Sequence, residues 1–225
     1  MIEENNISYM RQTDIFNPIN QIFNIIILGA GSLGSIITFN LAKLGFNNIE
    51  VYDFDIVKNF NIPNQIYRIK DINKSKVEAL SEIIEEFCNV KINIKNIKVD
   101  LTTKFSNSLN NIFILTFDTL EERKIFLNII KNNQYKQFVV DARVGGEEFN
   151  IQTINTFNEE EIKEWEKSFD IIPTDLPCGA KSIIYTNFNI ASEVCNVIKK
   201  INNGEPYPKK FFRHMKTYNI IHKIN

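Results

Sequence analysis

The sequence predicts an α/β fold: a mainly parallel sheet with helices on both faces and antiparallel strands toward the C-terminal side. Short apolar runs alternate along the chain with segments of helical apolar spacing, the pattern of strands joined by crossover helices. Three glycines, Gly29, Gly31 and Gly34, stand between the first apolar run and the first helical segment. Acidic residues occupy or closely follow the carboxyl ends of the strands, where such sheets hold their ligands.

Residues 1–22 read as an N-terminal arm, polar and then semi-helical, either disordered or laid across a partner subunit. Residues 25–28 are a buried strand, and the glycines follow in G-x-G-x-x-G spacing. A helix with apolar positions Leu33, Ile36, Ile37, Leu41 and Leu44 comes next, closed by Gly45. Residues 49–52 form the second strand, which ends in Asp53. That order is the nucleotide-binding fingerprint of a Rossmann-like fold. Glycines let the backbone turn tightly and approach a phosphate, the helix start offers unpaired N–H groups, and the acid takes ribose hydroxyls.

Phe54 begins a loop in which Pro63 rules out a long helix. Asn73 reads as the N-cap of a helix to about Phe87, with Val77, Leu80, Ile84 and Phe87 on one face. Lys76 then falls at the third helical position, where a cation opposes the helix dipole unless an anion sits beside it. Both an exposed, tolerated lysine and a phosphate contact fit that placement. Residues 91–99 alternate as a strand, and residues 112–117 form another, buried one with Asp118 at its carboxyl end. Thr119 and Glu122 make a capping box for a helix to about Asn132.

Residues 138–140 are the next strand, ending in Asp141, Ala142 and Arg143. Gly145 and Gly146 turn the chain into an antiparallel strand over 149–156. A short charged helix covers 158–168, and residues 169–181 form a loop carrying Cys178. A long helix over 182–201 stops at Asn203 and Gly204. Residues 205–225 are a tail or last edge strand. No repeat or linker interrupts residues 1–225, which read as one domain.

The 225 residues are 44% hydrophobic, enough for one sizeable core, and a formal net charge of −1 argues against nucleic acid or an anionic membrane as partner. No apolar run approaches membrane-spanning length and the acidic start is unlike a signal peptide, which together suggest a cytoplasmic protein. Cys88, Cys178 and Cys195 form no C-x-x-C pair, so no structural zinc is expected. Four acids, Asp53, Asp55, Asp118 and Asp141, sit at strand ends. A redox dinucleotide needs only the first, whereas acid-rich ends beside a phosphate loop suit Mg2+ and a nucleoside triphosphate.

The ordered set Arg11–Gln12, GAGSLG, DFDIVKNFNIPNQ, NKSKVEA and FDTLEER resembles the ThiF/MoeB/HesA family, whose adenylating fold is shared with ubiquitin-activating enzymes. The resemblance runs from about Tyr9 to Lys200. The segments DARVGGE and LPCGAKSIIYTNFNIA resemble a minimal bacterial and phage-type branch. The resemblance implies that ATP adenylylates the C-terminal glycine carboxylate of a small ubiquitin-like or sulfur-carrier protein, releasing pyrophosphate. It implies that Asp53 holds the ribose hydroxyls, that Asp55 lines the nucleotide pocket, and that Asn61, within the motif that ends at Gln65, contacts the phosphates. It implies Lys76 on the phosphates, Asp118 with Mg2+, and Arg11 reaching a neighbouring subunit's ATP in a homodimer. Arg123 matches an arginine common in the family, whose role there reads equally as functional or as a structural pair.

Three departures matter. Asn64 stands where the family usually has a phosphate-contacting arginine, so Arg68 or Arg143 must supply that charge or turnover is slow or absent. The paired C-x-x-C zinc motifs are missing, and no rhodanese or catalytic-cysteine domain is added. Cys178, beside Lys181 and just before a helix start, has surroundings that favour a thiolate nucleophile, although a packed small residue fits equally. Two other readings remain open. One is a non-catalytic member that binds nucleotide or partner, and the other is an NAD-dependent oxidoreductase resting on the glycines and Asp53 alone.

Overall fold

The structure, a computed structural model, describes residues 7–105, 110–132, 137–170 and 182–224. Its centre is a parallel sheet of β1 (Asn24–Leu28), β2 (Ile49–Tyr52), β3 (Asn93–Lys95), β4 (Asn111–Leu115) and β5 (Phe138–Gly145). Antiparallel strands β6 (Glu148–Asn155), β7 (Pro208–His214) and β8 (Asn219–Ile224) extend it at one side, in the order β3-β2-β1-β4-β5-β6-β7-β8. The tail predicted as one edge strand is therefore a two-stranded hairpin.

Strand alternation decides which helices cover which face. Ile25 and Ile27 of β1 pack with α1 (Ser32–Leu44), α2 (Lys76–Cys88) and α5 (Ile184–Asn202). Ile26 and Leu28 face the other way, against Phe126, Leu127 and Ile130 of α3 (Leu120–Asn132) and Trp165 of α4 (Glu159–Lys167). β1 is flanked by parallel neighbours on either side, and its four apolar residues are fully buried.

The helix ends follow local chemistry. Gly45 takes φ +98°, which lets its N–H return to Ala42 O and closes α1. Thr119 accepts from the Glu122 N–H at 3.3 Å, as the capping box requires. Asn158 accepts from Glu160 N–H at 3.0 Å and starts α4.

Several boundaries differ from expectation. Asn73 has φ +73° and donates its N–H to Val57 O at 2.9 Å, so it is a left-handed turn residue rather than a cap. Ser75 precedes α2 instead, and Lys76 is its first residue, not its third. Phe87 is half exposed and meets Phe39 edge-on, while Ile83 and Cys88 take the core side of α2. The strand expected over 91–99 shortens to three residues because its single neighbour, β2, offers only Glu50 to Tyr52 for pairing. From Tyr9 the N-terminal arm lies on its own chain, with Phe16 buried and stacked on Phe46 at 4.7 Å.

Candidate functional site

The carboxyl ends of β2, β1 and β4 lie side by side, and backbone bonds bind the turns that follow them. Gly29 N–H donates to Tyr52 O at 2.8 Å, and Thr116 N–H donates to Leu28 O at 3.0 Å. Gly29 and Gly34 are explained by packing. Gly29 has φ +105° against Thr116, and a Cβ on Gly34 would stand 1.8 Å from Gly29 O. Gly31 is different: a Cβ there would meet nothing within 4 Å. It is the N-cap of α1, and with nothing within 4 Å of a Cβ there the outer face of the turn is open.

Asp53 is held by two backbone donors, Ala30 N–H at 2.7 Å and Asp55 N–H at 2.8 Å, which fixes its carboxylate against the glycine turn. Tyr67, absent from the sequence reading, donates its hydroxyl to Ala30 O at 2.7 Å. Burial raises its pKa well above 10.0, with Asp53, Asp71 and Asp55 adding to the effect, so it stays a donor. Its only sequence signal is an aromatic inside a polar loop.

Residues 53–57 and 73–76 run against each other, joined by Val57 N–H to Lys74 O and Lys76 N–H to Asp55 O, both at 2.9 Å. This pairing delivers Lys76, 7% exposed, to the acids. Its ammonium lies 2.8 Å from Asp55 and 4.0 Å from Asp53. The anion that the lysine's position demands is thus supplied by Asp55. Asn61 is buried, and because its Oδ1 accepts from Lys58 N–H at 2.8 Å, the group left to donate is its Nδ2 amide. Gln65 Oε1 is buried without a partner among the described residues. Asp118, two residues beyond Thr116, is exposed.

Other expectations do not meet at this site. Asp141 is not at a strand end, because β5 continues past it to Gly145 under cover of β6. It is fully buried, paired with Arg123 and Arg143 and bonded by Trp165 Nε1 at 2.9 Å. Burial alone would raise its pKa, but the two arginines outweigh that and hold it below the usual value. Neither arginine proposed to replace the one missing at Asn64 is free. Arg68 is engaged by Asp71 at 2.8 Å and by Glu82 and Glu86, and Arg143 by Asp141 at 2.6 Å and Ser168 Oγ at 3.0 Å. Arg11 is exposed, next to Gln12, which bonds Leu44 O at 2.7 Å at the far end of α1. Cys178 lies outside the described residues, whereas Cys88 and Cys195 carry buried, free thiols whose pKa values burial raises. Among the described residues no three His, Cys, Asp or Glu side chains cluster to hold a metal, and no helix is long and apolar enough to cross a membrane.

The glycine turn after β1, Asp53 pinned against it and Lys76 on Asp53 and Asp55 lie at the carboxyl edge of a Rossmann-like α/β sheet, where folds of this class hold their ligands. The ThiF family model matches residues 17–222, and the chain belongs to that family. It is 33% identical over 126 residues to the NEDD8-activating enzyme E1 catalytic subunit of Dictyostelium discoideum, covering 53% of this chain and 27% of that protein. The Arabidopsis thaliana enzyme of the same name is 36% identical over 112 residues, covering 48% and 24%. The chain thus spans about a quarter of the length of these curated relatives. Crystal structures of E. coli MccB superpose with a TM-score of 0.74 at 15% identity, covering 97% of this chain and 72% of that one. PaaA superposes with a TM-score of 0.71 at 18% identity, covering 92% and 64%. At those identities the structural neighbours establish the fold alone.

Proposed function

We propose that this chain adenylylates the C-terminal glycine carboxylate of a small ubiquitin-like or sulfur-carrier protein, using ATP and Mg2+ and releasing pyrophosphate. The observation that carries the proposal is Lys76, a largely buried ammonium within 4.0 Å of both Asp53 and Asp55 beside the open face of the glycine turn. The redox-dinucleotide reading rests on the glycines and Asp53 and assigns Lys76 no role, whereas a triphosphate gives its charge a partner. Relatives support the reaction class: NEDD8- and SUMO-activating enzymes are among them, and MccB has been crystallised with ATP and with AMPCPP plus MccA.

In this scheme Asp53 receives the ribose hydroxyls and the first N–H groups of α1 face the phosphates. Lys76 exchanges Asp55 for the phosphates, and the Nδ2 of Asn61 donates to them. The carrier carboxylate attacks the α-phosphorus, the bond to pyrophosphate breaks, and an acyl-adenylate forms. The attacking and attacked groups are both anionic, so neutralisation and alignment lower the barrier most. Mg2+ would supply charge neutralisation, held by Asp118 and phosphate oxygens, a donor set in keeping with the ion's preference for few protein ligands. The enzyme acts as a homodimer in the cytoplasm, with Arg11 entering the partner's site. Cys178, outside the described residues, is the candidate acceptor of the acyl group.

One observation favours a slower or non-catalytic member: Asn64 replaces an arginine while Arg68 and Arg143 are both committed elsewhere. ATP–pyrophosphate exchange in the presence of a glycine-terminated carrier decides between them. Exchange stimulated by the carrier is expected. ATP binding without exchange establishes the binding role, and thermal protection by NAD but not by ATP with Mg2+ rejects both.

A further inference from the structure

Arg123, on the first turns of α3, is 4% exposed, yet it does more than balance a buried charge. Its guanidinium donates to Phe117 O at 2.5 Å, Ala142 O at 3.1 Å and Leu115 O at 3.5 Å, and it pairs with Asp141. The parallel ladder between β4 and β5 ends at Leu115 opposite Asp141. Beyond it, the carbonyl preceding Asp118 is held by the arginine rather than by a strand. Asp141 fixes the guanidinium in turn. Its second oxygen takes Arg143 at 2.6 Å and Trp165 Nε1 at 2.9 Å, and Arg143 lies 5.0 Å over the Phe169 ring. An apolar core of the same volume would stabilise the fold as well as such an ion pair. What an apolar core cannot do is aim N–H groups at Leu115 O and Phe117 O, where β4 gives way to the turn before α3, and tie them to Ala142 O of β5.

We propose that Arg123 is a positioning residue that holds the Phe117–Asp118 peptide in place, so that the Asp118 carboxylate stands fixed beside the glycine turn. This role rests on the adenylation proposed above. With the fork removed, Asp118 keeps its chemistry but loses its fixed position, and a displacement of about 1 Å is enough to cost about 10²-fold in rate.

The test uses the full chain with Arg123→Lys and Arg123→Met, the second leaving Asp141 paired with Arg143 and Trp165. Asp118→Asn is the reference, and Trp165→Phe is a control that removes a bond to Asp141 while leaving the Arg123 guanidinium and its bonds to Leu115 O and Phe117 O in place. ATP affinity is measured by calorimetry with Mg2+ and with EDTA, and amide hydrogen exchange is followed over residues 116–120. Both Arg123 variants are expected to bind ATP in EDTA within twofold of wild type. They should lose the Mg2+-dependent gain as Asp118→Asn does, and exchange faster at 117–119 only. Trp165→Phe is expected to melt earlier and keep the gain. Retention of the gain in either Arg123 variant overturns the proposal, as does its equal loss in Trp165→Phe. Wild-type protein that binds no ATP defeats the adenylation proposal instead, and hydrogen exchange then still reports whether Arg123 holds this turn.

Discussion

The Lys76 ammonium lies 2.8 Å from the Asp55 carboxylate, at the first residue of α2, where a cation faces the positive end of the helix. Such a placement costs about 0.3–1 kcal/mol unless an anion offsets it. Asp55 offsets it, and its half-exposed side chain can return to water when a triphosphate arrives. Lys76→Ala is therefore expected to lower exchange by about 10²-fold or more. The melting temperature should fall by only about 2–4 °C, the equivalent of about 1 kcal/mol in a chain of this size. Normal exchange in this variant removes Lys76 from the site.

Gly31 and Gly34 separate ligand approach from packing. Alanine at Gly34 puts a Cβ 1.8 Å from Gly29 O, a backbone atom that cannot step aside. Gly34→Ala is expected to destabilise the protein by about 1–3 kcal/mol or more. Gly31→Ala meets open space, and its backbone at φ −77° and ψ −148° lies just past the extended region, so it should cost about 1 kcal/mol while ATP affinity drops. Equal ATP affinity in wild type and Gly31→Ala, by calorimetry, places the nucleotide elsewhere.

Residues whose role depends on neighbours in sequence were legible. Gly29, Gly31, Gly34, Gly45 and Asp53 lie in one strand–turn–helix–strand unit, and the structure places all five within it at the positions their spacing implies, with packing accounting for Gly29 and Gly34. Asp141 misled because an acid after an apolar triplet looks like a strand end. Its burial depends on β6, which folds back over it from later in the chain. Tyr67 was invisible for the same reason, since its partner Ala30 lies 37 residues away, and Arg68 was so in part: Asp71 is a local partner three residues on, but Glu82 and Glu86 lie 14 and 18 away. Asn73 shows the limit of local rules: an asparagine serves equally as a cap or as a left-handed turn, and the bond to Val57 O selects the turn.

Acid should unfold the protein through two buried carboxylates. Burial would raise the pKa of Asp71 and of Asp141, but Arg68 and the Arg123–Arg143 pair respectively lower both below the ordinary 3.8. A carboxylate depressed in the folded state contributes stability above its unfolded pKa and loses it as pH falls through the folded value. Urea midpoints should be flat from pH 7 to about 5 on this account and fall below about 4. Asp141→Asn leaves two arginines facing a neutral group, which costs about 3–5 kcal/mol at pH 7. It should also flatten the acid limb. An unchanged limb would assign the transition to other groups.

Arg11 tests the assembly. Gln12 anchors its neighbour at Leu44 O, while the glycine turn lies at the other end of α1, twelve residues or about 18 Å away at 1.5 Å per residue. An arginine so placed serves its own site poorly, and a twofold partner brings it to the other one. Arg11→Ala and Lys76→Ala subunits should each be inactive alone. Random re-pairing of equal amounts makes half the dimers mixed, and each mixed dimer has one site with both residues intact, so about a quarter of wild-type exchange should return. Wild-type activity in Arg11→Ala alone removes the residue from the reaction. Inactive parents with no recovery after verified re-pairing show that Arg11 does not act across the interface.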